Sequence, residues 1–369
     1  MAAGLIKVAH PTVDKEEVEA VSEVLLSGSY VSGKKVEDFE RAFSEYVGCH
    51  YSVAVSSGTA ALFIALEAIG VGAGDEVIVP PLSFFATVSS VLYVRAVPVF
   101  ADIDTDDLCL SPSDTARRVT PRTKAVIAVH LFGNAAKMDA LCAVSQEAGI
   151  AVVEDCAQAH GTEYKGKRVG GFGMAGCFSF FATKHMTTGE GGMITTNDFA
   201  VAEKARILRN HGMVGRDRHV FVGFNNRMTE MEAAMGLVQL GKLDRLNEKR
   251  IANSEYLMGV LRDLSWAKVP KTDGRVKHTY FWCPVMVEES SGRSLDELKE
   301  HLSRNKIEFR YRYEEPLYKQ EALAKAGLDY SDVYLPNAEA VAGKILGLPN
   351  HPGLTRADLD RIVEVLRSF

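Results

Sequence analysis

Between Tyr51 and Asp155, short apolar runs alternate with segments of helical spacing, and this alternation limits the fold more than any other feature of the chain. Residues 51–55, 76–80, 97–102, 124–130 and 151–155 read as strands. Residues 60–69, 84–94 and 135–148 read as helices between them. Strands and helices in that order build an α/β domain around a mostly parallel sheet. In such sheets ligands gather outside the carboxyl ends of the strands. Ser57, Phe84, His130 and Asp155 all fall at or just past such ends.

The flanking regions read differently. Residues 14–26 and 36–46 form two amphipathic helices ahead of the first strand, and 199–209 a third after the alternating region. A capping box, Thr229 to Glu232, opens a helix that continues into 247–264. The domain boundary is placed here, giving units 1–240 and 241–369. The second unit reads as a smaller α+β domain, with strands at 278–287 and 307–313 and helices at 294–304, 338–345 and 355–368. With 369 residues, of which 47% are apolar, there is ample material for two cores. A net charge of −6 argues against a nucleic-acid surface. The six cysteines form no CxxC pair, which signals neither zinc nor a dithiol redox motif and suits reduced thiols in the cytoplasm. No apolar run approaches the roughly 18 residues of a membrane span, and the N-terminus has no signal-peptide core.

Three places carry chemistry. At Ser56-Ser57-Gly58-Thr59 a strand passes into a helix. Free N–H groups, the hydroxyls of Ser57 and Thr59, and a glycine permitting close approach suit a phosphate. The same residues also suit a plain helix cap. In 176–196 two apolar runs joined by a Gly-rich loop read as a hairpin carrying one lysine, Lys184. If desolvated, its amine is a usable nucleophile for a carbonyl; a loop lysine also commonly snorkels to water. Asp155 ends an apolar strand, either as a helix cap or as a carboxylate awaiting a cation. Gln158 and His160 follow it closely. No second ligand stands at metal spacing from His160, so no metal is expected. Arg216 and Arg218, and Arg310 and Arg312, are basic candidates in segments that also read as solvated.

Taken together, the motifs SSGTAAL (56–62), GDEVIVPPLSFFAT (74–87), AVHLFG (128–133), VVEDCAQAHG (152–161), FSFFATKHMTTGEGGM (178–193), GFNNRM (223–228) and LPNHPGLT (348–355) span nearly the whole chain. In this set the sequence resembles the nucleotide-sugar aminotransferases of the DegT/DnrJ/EryC1/StrS family. The resemblance implies a type I, aspartate-aminotransferase-like fold and the cofactor pyridoxal 5'-phosphate, with pyridoxamine phosphate as the amine-carrying form. It implies that Lys184 bonds the cofactor and later moves the proton, while Asp155 pairs with the pyridine nitrogen. Gln158 would contact the ring hydroxyl, and Phe84 would stack on the ring. Ser57, Gly58, Thr59 and Ser179 would bind the phosphate. Asn225 would reach the cofactor phosphate of a neighbouring subunit, making a homodimer with shared active sites.

The reaction so implied moves an amino group from L-glutamate to a keto group of a nucleotide-linked sugar. Tyr30, His130, His185, Arg310 and His351 are assigned to the substrate. Sugar dehydratases of the family carry histidine where Lys184 stands; here the lysine is kept and His185 follows it, which favours transamination. A keto-cyclitol acceptor, a cofactor-dependent dehydration, and a non-catalytic regulatory or binding role on the same fold remain as alternatives.

Overall fold

The computed structural model describes residues 4–369. Seven strands form the central sheet. Their order across it is Tyr51–Val55, Gly192–Thr196, Ala175–Ser179, Ala151–Asp155, Thr123–Val129, Glu76–Val79 and Val97–Phe100. From Ala175–Ser179 to Val97–Phe100 all neighbours are parallel. Gly192–Thr196 runs against both of its neighbours. Val77, Ile78, Val79, Val126, Ile127 and Val153 are fully buried. Helices on both faces explain why these strands read as continuous apolar runs rather than alternating ones.

This topology places the chemistry. Tyr51–Val55, Glu76–Val79, Ala151–Asp155 and Ala175–Ser179 all end at one edge of the sheet, and the antiparallel Gly192–Thr196 begins there. Residues 56–59, 80–85, 156–160 and 180–191 therefore converge on a single rim. The helix Gly58–Ala68 starts at it, capped by the Ser57 side chain, which accepts from the Ala60 N–H at 3.1 Å.

A second, four-stranded antiparallel sheet comprises Ala267–Lys268, Cys283–Val287, Ile345–Leu348 and Arg310–Tyr311, in that order. It has its own apolar cluster, with Leu257, Leu261, Val285, Leu302, Leu346 and Ile362. The helix Glu230–Asp263 serves both cores, with Leu243 in the first and Leu257 in the second. The expected boundary at 240/241 thus falls inside an unbroken helix. Chain segments also cross over: Ile6 packs in the second cluster, while Leu317, Tyr318, Leu335 and Val341 pack in the first. No described helix is long and apolar enough to cross a membrane.

Several C-terminal elements are shorter than their sequence suggests. The strand expected over 307–313 is Arg310–Tyr311, and that over 278–287 is Cys283–Val287. The helix expected over 338–345 is Pro336–Val341. Gly343 then takes a left-handed φ of 72°, its N–H bonded to Tyr313 O at 2.7 Å, and the chain re-enters the sheet as Ile345–Leu348. The helix expected over 84–94 is Ala86–Tyr93.

The long helix also fixes its neighbours. The capping box predicted at Thr229 and Glu232 is present. The next residue in, Glu230, is buried and accepts from the N–H groups of Gly33 (2.8 Å), Lys35 (3.0 Å) and Val36 (2.9 Å). These are free donors at the start of helix Lys34–Val47, where the dipole also favours an anion. Glu230→Ala leaves them without an acceptor in a buried setting. It is expected to lower unfolding stability by about 2–3 kcal/mol, measured by urea denaturation; a change below about 0.5 kcal/mol would show the carboxylate to be dispensable.

Candidate active site

The rim encloses a cleft of about 430 Å³. Ser57, Gly58 and Thr59 line it at the helix N-terminus, with Ser179 beside them at the end of its strand. These two segments touch: a Cβ on Gly58 would lie 2.6 Å from the Cβ of Ser179. A Cβ on Gly192 would strike the Ser57 carbonyl oxygen. Glycine at both positions lets three chain segments close around one small space presenting N–H and hydroxyl groups, the donor set an oxyanion requires.

Asp155 and Lys184 both line this cleft. Asp155 is buried, and burial pushes its carboxyl above the ordinary carboxylate range. The Ala157 N–H (3.1 Å) and the Thr87 hydroxyl (2.9 Å) donate to it and oppose that rise, as does the charge of Lys184. Thr87 in turn shares a 2.7 Å hydrogen bond with Ser83. Lys184 sits half-buried on the cleft wall, with Nζ 4.7 Å from the centroid of the Phe281 ring. Burial pulls its amine down to about 8, with Asp155 acting weakly the other way. An amine so shifted keeps a far larger neutral, nucleophilic fraction near physiological pH than a solvated lysine does.

Glu154 stands next to Asp155 with the opposite electrostatics. Successive strand residues face opposite sides of a sheet. Burial pushes Glu154 up, but His130 and the N–H groups of Gly170 and Gly173 outweigh it and hold the carboxyl below its usual range. His130 Nε2 lies 3.2 Å from Glu154 Oε2, and its Nδ1 accepts from the Ala136 N–H at 3.1 Å. His130, Glu154 and Cys156 lie close enough together to suggest a metal cluster. Glu154 is already saturated by the N–H groups of Gly170, Phe172 and Gly173, however, so the cluster reads as a structural network.

The remaining sequence-nominated residues divide between the cleft and elsewhere. Gln158 lines the cleft; its Oε1 accepts from the Phe132 N–H and its Nε2 donates to the Tyr313 hydroxyl, both at 3.0 Å. Phe84 lines it and is 64% exposed. Tyr30, His130, His185, Arg310 and His351, the residues assigned to substrate, are not among its lining. Tyr30 is exposed and donates to Leu25 O. His130 is buried in the Glu154 network just described. His185 is buried, with Nε2 3.3 Å from Thr279 O. Arg310 lines a separate groove with Leu5 and Val8. His351 is buried, its ring 6.0 Å from that of His10. Asn225 is exposed and is not among the cleft lining. The structure instead adds Thr183, Glu190, Phe281, Trp282, Arg312 and Tyr313 to the lining. The sequence reading missed Thr87, although it lies one helical turn beyond Phe84; Phe281 and Trp282 fall within the strand expected over 278–287 but lie in bends ahead of Cys283–Val287.

The family model described as the DegT/DnrJ/EryC1/StrS aminotransferase family matches residues 11–367. The chain belongs to this family. It is 38% identical to the GDP-perosamine synthase of Caulobacter vibrioides, over 98% of this chain and 97% of that protein. The structure of DesV from S. venezuelae, in complex with a ketimine intermediate, superposes with a TM-score of 0.90 at 35% identity, covering 96% of this chain and 94% of DesV. The sugar aminotransferase Spr1654 of Streptococcus pneumoniae, described as putative and solved in PMP and PLP forms, gives TM-scores of 0.91 at 28% identity, over 98–99% of this chain and 98% of that one. The α/β fold with its mostly parallel sheet is that of the pyridoxal-phosphate-dependent aminotransferases, and the chain is an enzyme of that class.

The cleft of this family member suits the cofactor on its own terms. It pairs an oxyanion cradle with a desolvated amine and a buried carboxylate. Lysine capture of pyridoxal phosphate requires the neutral amine. Uptake by apoenzyme is therefore expected to accelerate with pH and level off a little above pH 8. Stopped-flow mixing across pH 6–10 measures this, and an acceleration that continues to pH 10, as for a solvated lysine, would contradict the desolvated environment.

Proposed function

We propose that the enzyme moves an amino group from L-glutamate to a keto group of a nucleotide-linked sugar. The observation that carries the reading is that Lys184, Asp155 and the N-terminus of helix Gly58–Ala68 line one cleft. The names of the relatives, a GDP-perosamine synthase and a sugar aminotransferase, support a sugar acceptor.

When bound, pyridoxal phosphate supplies an electron sink for a carbanion at the donor carbon. Ser57, Gly58, Thr59 and Ser179 hold its phosphate through N–H and hydroxyl groups. Phe84 offers a flat apolar face to its ring. Asp155 is the carboxylate set to keep the ring nitrogen protonated, and Gln158 is set toward the ring hydroxyl. The Thr87 hydroxyl and Ala157 N–H orient the Asp155 carboxylate by hydrogen bonds. Lys184 is the residue that would hold the cofactor's aldehyde carbon, and its free amine would take the proton from glutamate Cα as general base and give it up again as general acid. The same lysine runs the reverse sequence on the ketosugar. Retention of lysine at 184 favours transamination over dehydration.

A homodimer completes the proposal. Phe84 and Phe181 in the cleft lining, and Phe221 and Val222 (90% exposed) just ahead of the motif that carries Asn225, leave apolar surface in water. Covering such surface favours a second copy, and Asn225 then reaches the partner's cofactor phosphate.

Lys184→Ala is expected to abolish multiple turnover in both half-reactions, followed by loss of the yellow absorbance with glutamate and by amine transfer to panels of nucleotide ketosugars and ketocyclitols. Sustained turnover by this variant would sink the proposal; preference for a ketocyclitol would move the acceptor. Asn225→Ala removes one hydrogen-bonding group and is expected to weaken cofactor binding about tenfold. Unchanged affinity in equilibrium dialysis would argue against the shared site.

A further inference from the structure

Four charged side chains line the cleft: Asp155, Lys184, Glu190 and Arg312. Asp155 and Lys184 are committed to the cofactor in the proposed reaction, and Glu190 is an exposed acid. Both proposed substrates are anions, one carrying carboxylates and the other a diphosphate. An anion entering this cleft meets two carboxylates, so a cation is needed to offset them. Arg312 is exposed and forms no hydrogen bond or ion pair with any described residue.

The chain around this arginine departs from a regular strand. In an unbroken strand, residues 310 and 312 would share a face. Here the strand ends at Tyr311, and Tyr313 takes a left-handed φ of 60°, a strained state for a bulky residue. Tyr313 is held on both sides. Its hydroxyl accepts from Gln158 at 3.0 Å, and its carbonyl accepts from the Gly343 N–H at 2.7 Å. Arg310 is left in the groove with Leu5 and Val8, while Arg312 lines the cleft. Arg312 thus stands unpaired in the cleft lining, next to a residue that is pinned to Gln158 and Gly343.

We propose that Arg312 is the substrate-anion clamp, closing its planar fork on an oxyanion of the incoming substrate. The shared chemistry is a carboxylate or phosphate oxygen pair. The amino donor supplies the first and the nucleotide supplies the second. The assignment rests on the aminotransferase reading of Lys184, but its test does not need turnover.

Calorimetric titration of the holoenzyme with glutarate, UDP and GDP reads the clamp directly. Arg312→Gln is expected to weaken at least one class tenfold or more, with cofactor content and near-UV circular dichroism unchanged. Arg312→Lys keeps the charge but loses the fork, so it should fall between wild type and Arg312→Gln. Weakening of glutarate assigns the clamp to the donor carboxylate, and weakening of UDP or GDP assigns it to the nucleotide. Affinities within twofold of wild type for all three overturn the proposal. A wild-type enzyme that binds these ligands yet does not respond to L-glutamate would instead count against the proposed donor, leaving the role of Arg312 to be scored by the titrations.

Discussion

Removing an ammonium from water costs more than ordinary packing returns. The site of this protein depends on how that cost is handled at Lys184. The fold neither exposes the lysine nor gives it a tight ion pair. It places the amine against the Phe281 ring and lets burial lower its proton affinity. The opposing carboxylate, Asp155, is buried too, and its environment pulls both ways: burial raises it while two donors and the lysine restrain it. Each group is thus left responsive to a third party that brings its own charges.

The sheet makes this arrangement possible. Parallel strands deliver their carboxyl ends to one rim, so residues far apart in sequence meet without long connections. Alternation along a strand then separates two neighbouring acids into different duties. Glu154 is saturated by three backbone N–H groups and His130, and it secures the segment 170–173. Asp155 faces the cleft. Adjacent in sequence, the two carboxyls move in opposite directions from their ordinary range.

The parallel core was legible because its strands are buried on both sides and its helices carry strong spacing. Phe199–Arg209, the capping box at Thr229 and a further one formed by Ser294 and Glu297 lie where local chemistry puts them. The second sheet was less legible. Its strands are two to five residues long, and Ile345–Leu348 follows a helix with only Gly343 to mark the change. The motif-borne residues Ser57, Gly58, Thr59, Asp155, Gln158, Ser179 and Lys184 line the cleft because each sits at a strand end or helix start. Tyr30, His130, His185, Arg310 and His351 do not, because no periodic rule says where an isolated polar side chain points once the chain bends. Arg310 and Arg312 line different clefts beyond a strand that stops at Tyr311, an end that no residue pattern announces.

The loop bearing Lys184 has a property beyond chemistry. It leaves the sheet at Ser179 and returns at Gly192 on the adjoining strand, so its two ends stay about one strand spacing, roughly 4.8 Å, apart. Bridges from Phe181 to Gly189 and from Ser57 to Gly191 tie it down along its length. Closing a loop between neighbouring strands costs little more when a residue is added. Insertions or deletions in this excursion leave the register on either side intact. The position of Lys184 along the rim is therefore set by the hairpin's own length and bridges, while the register of the sheet is set by the strands on either side.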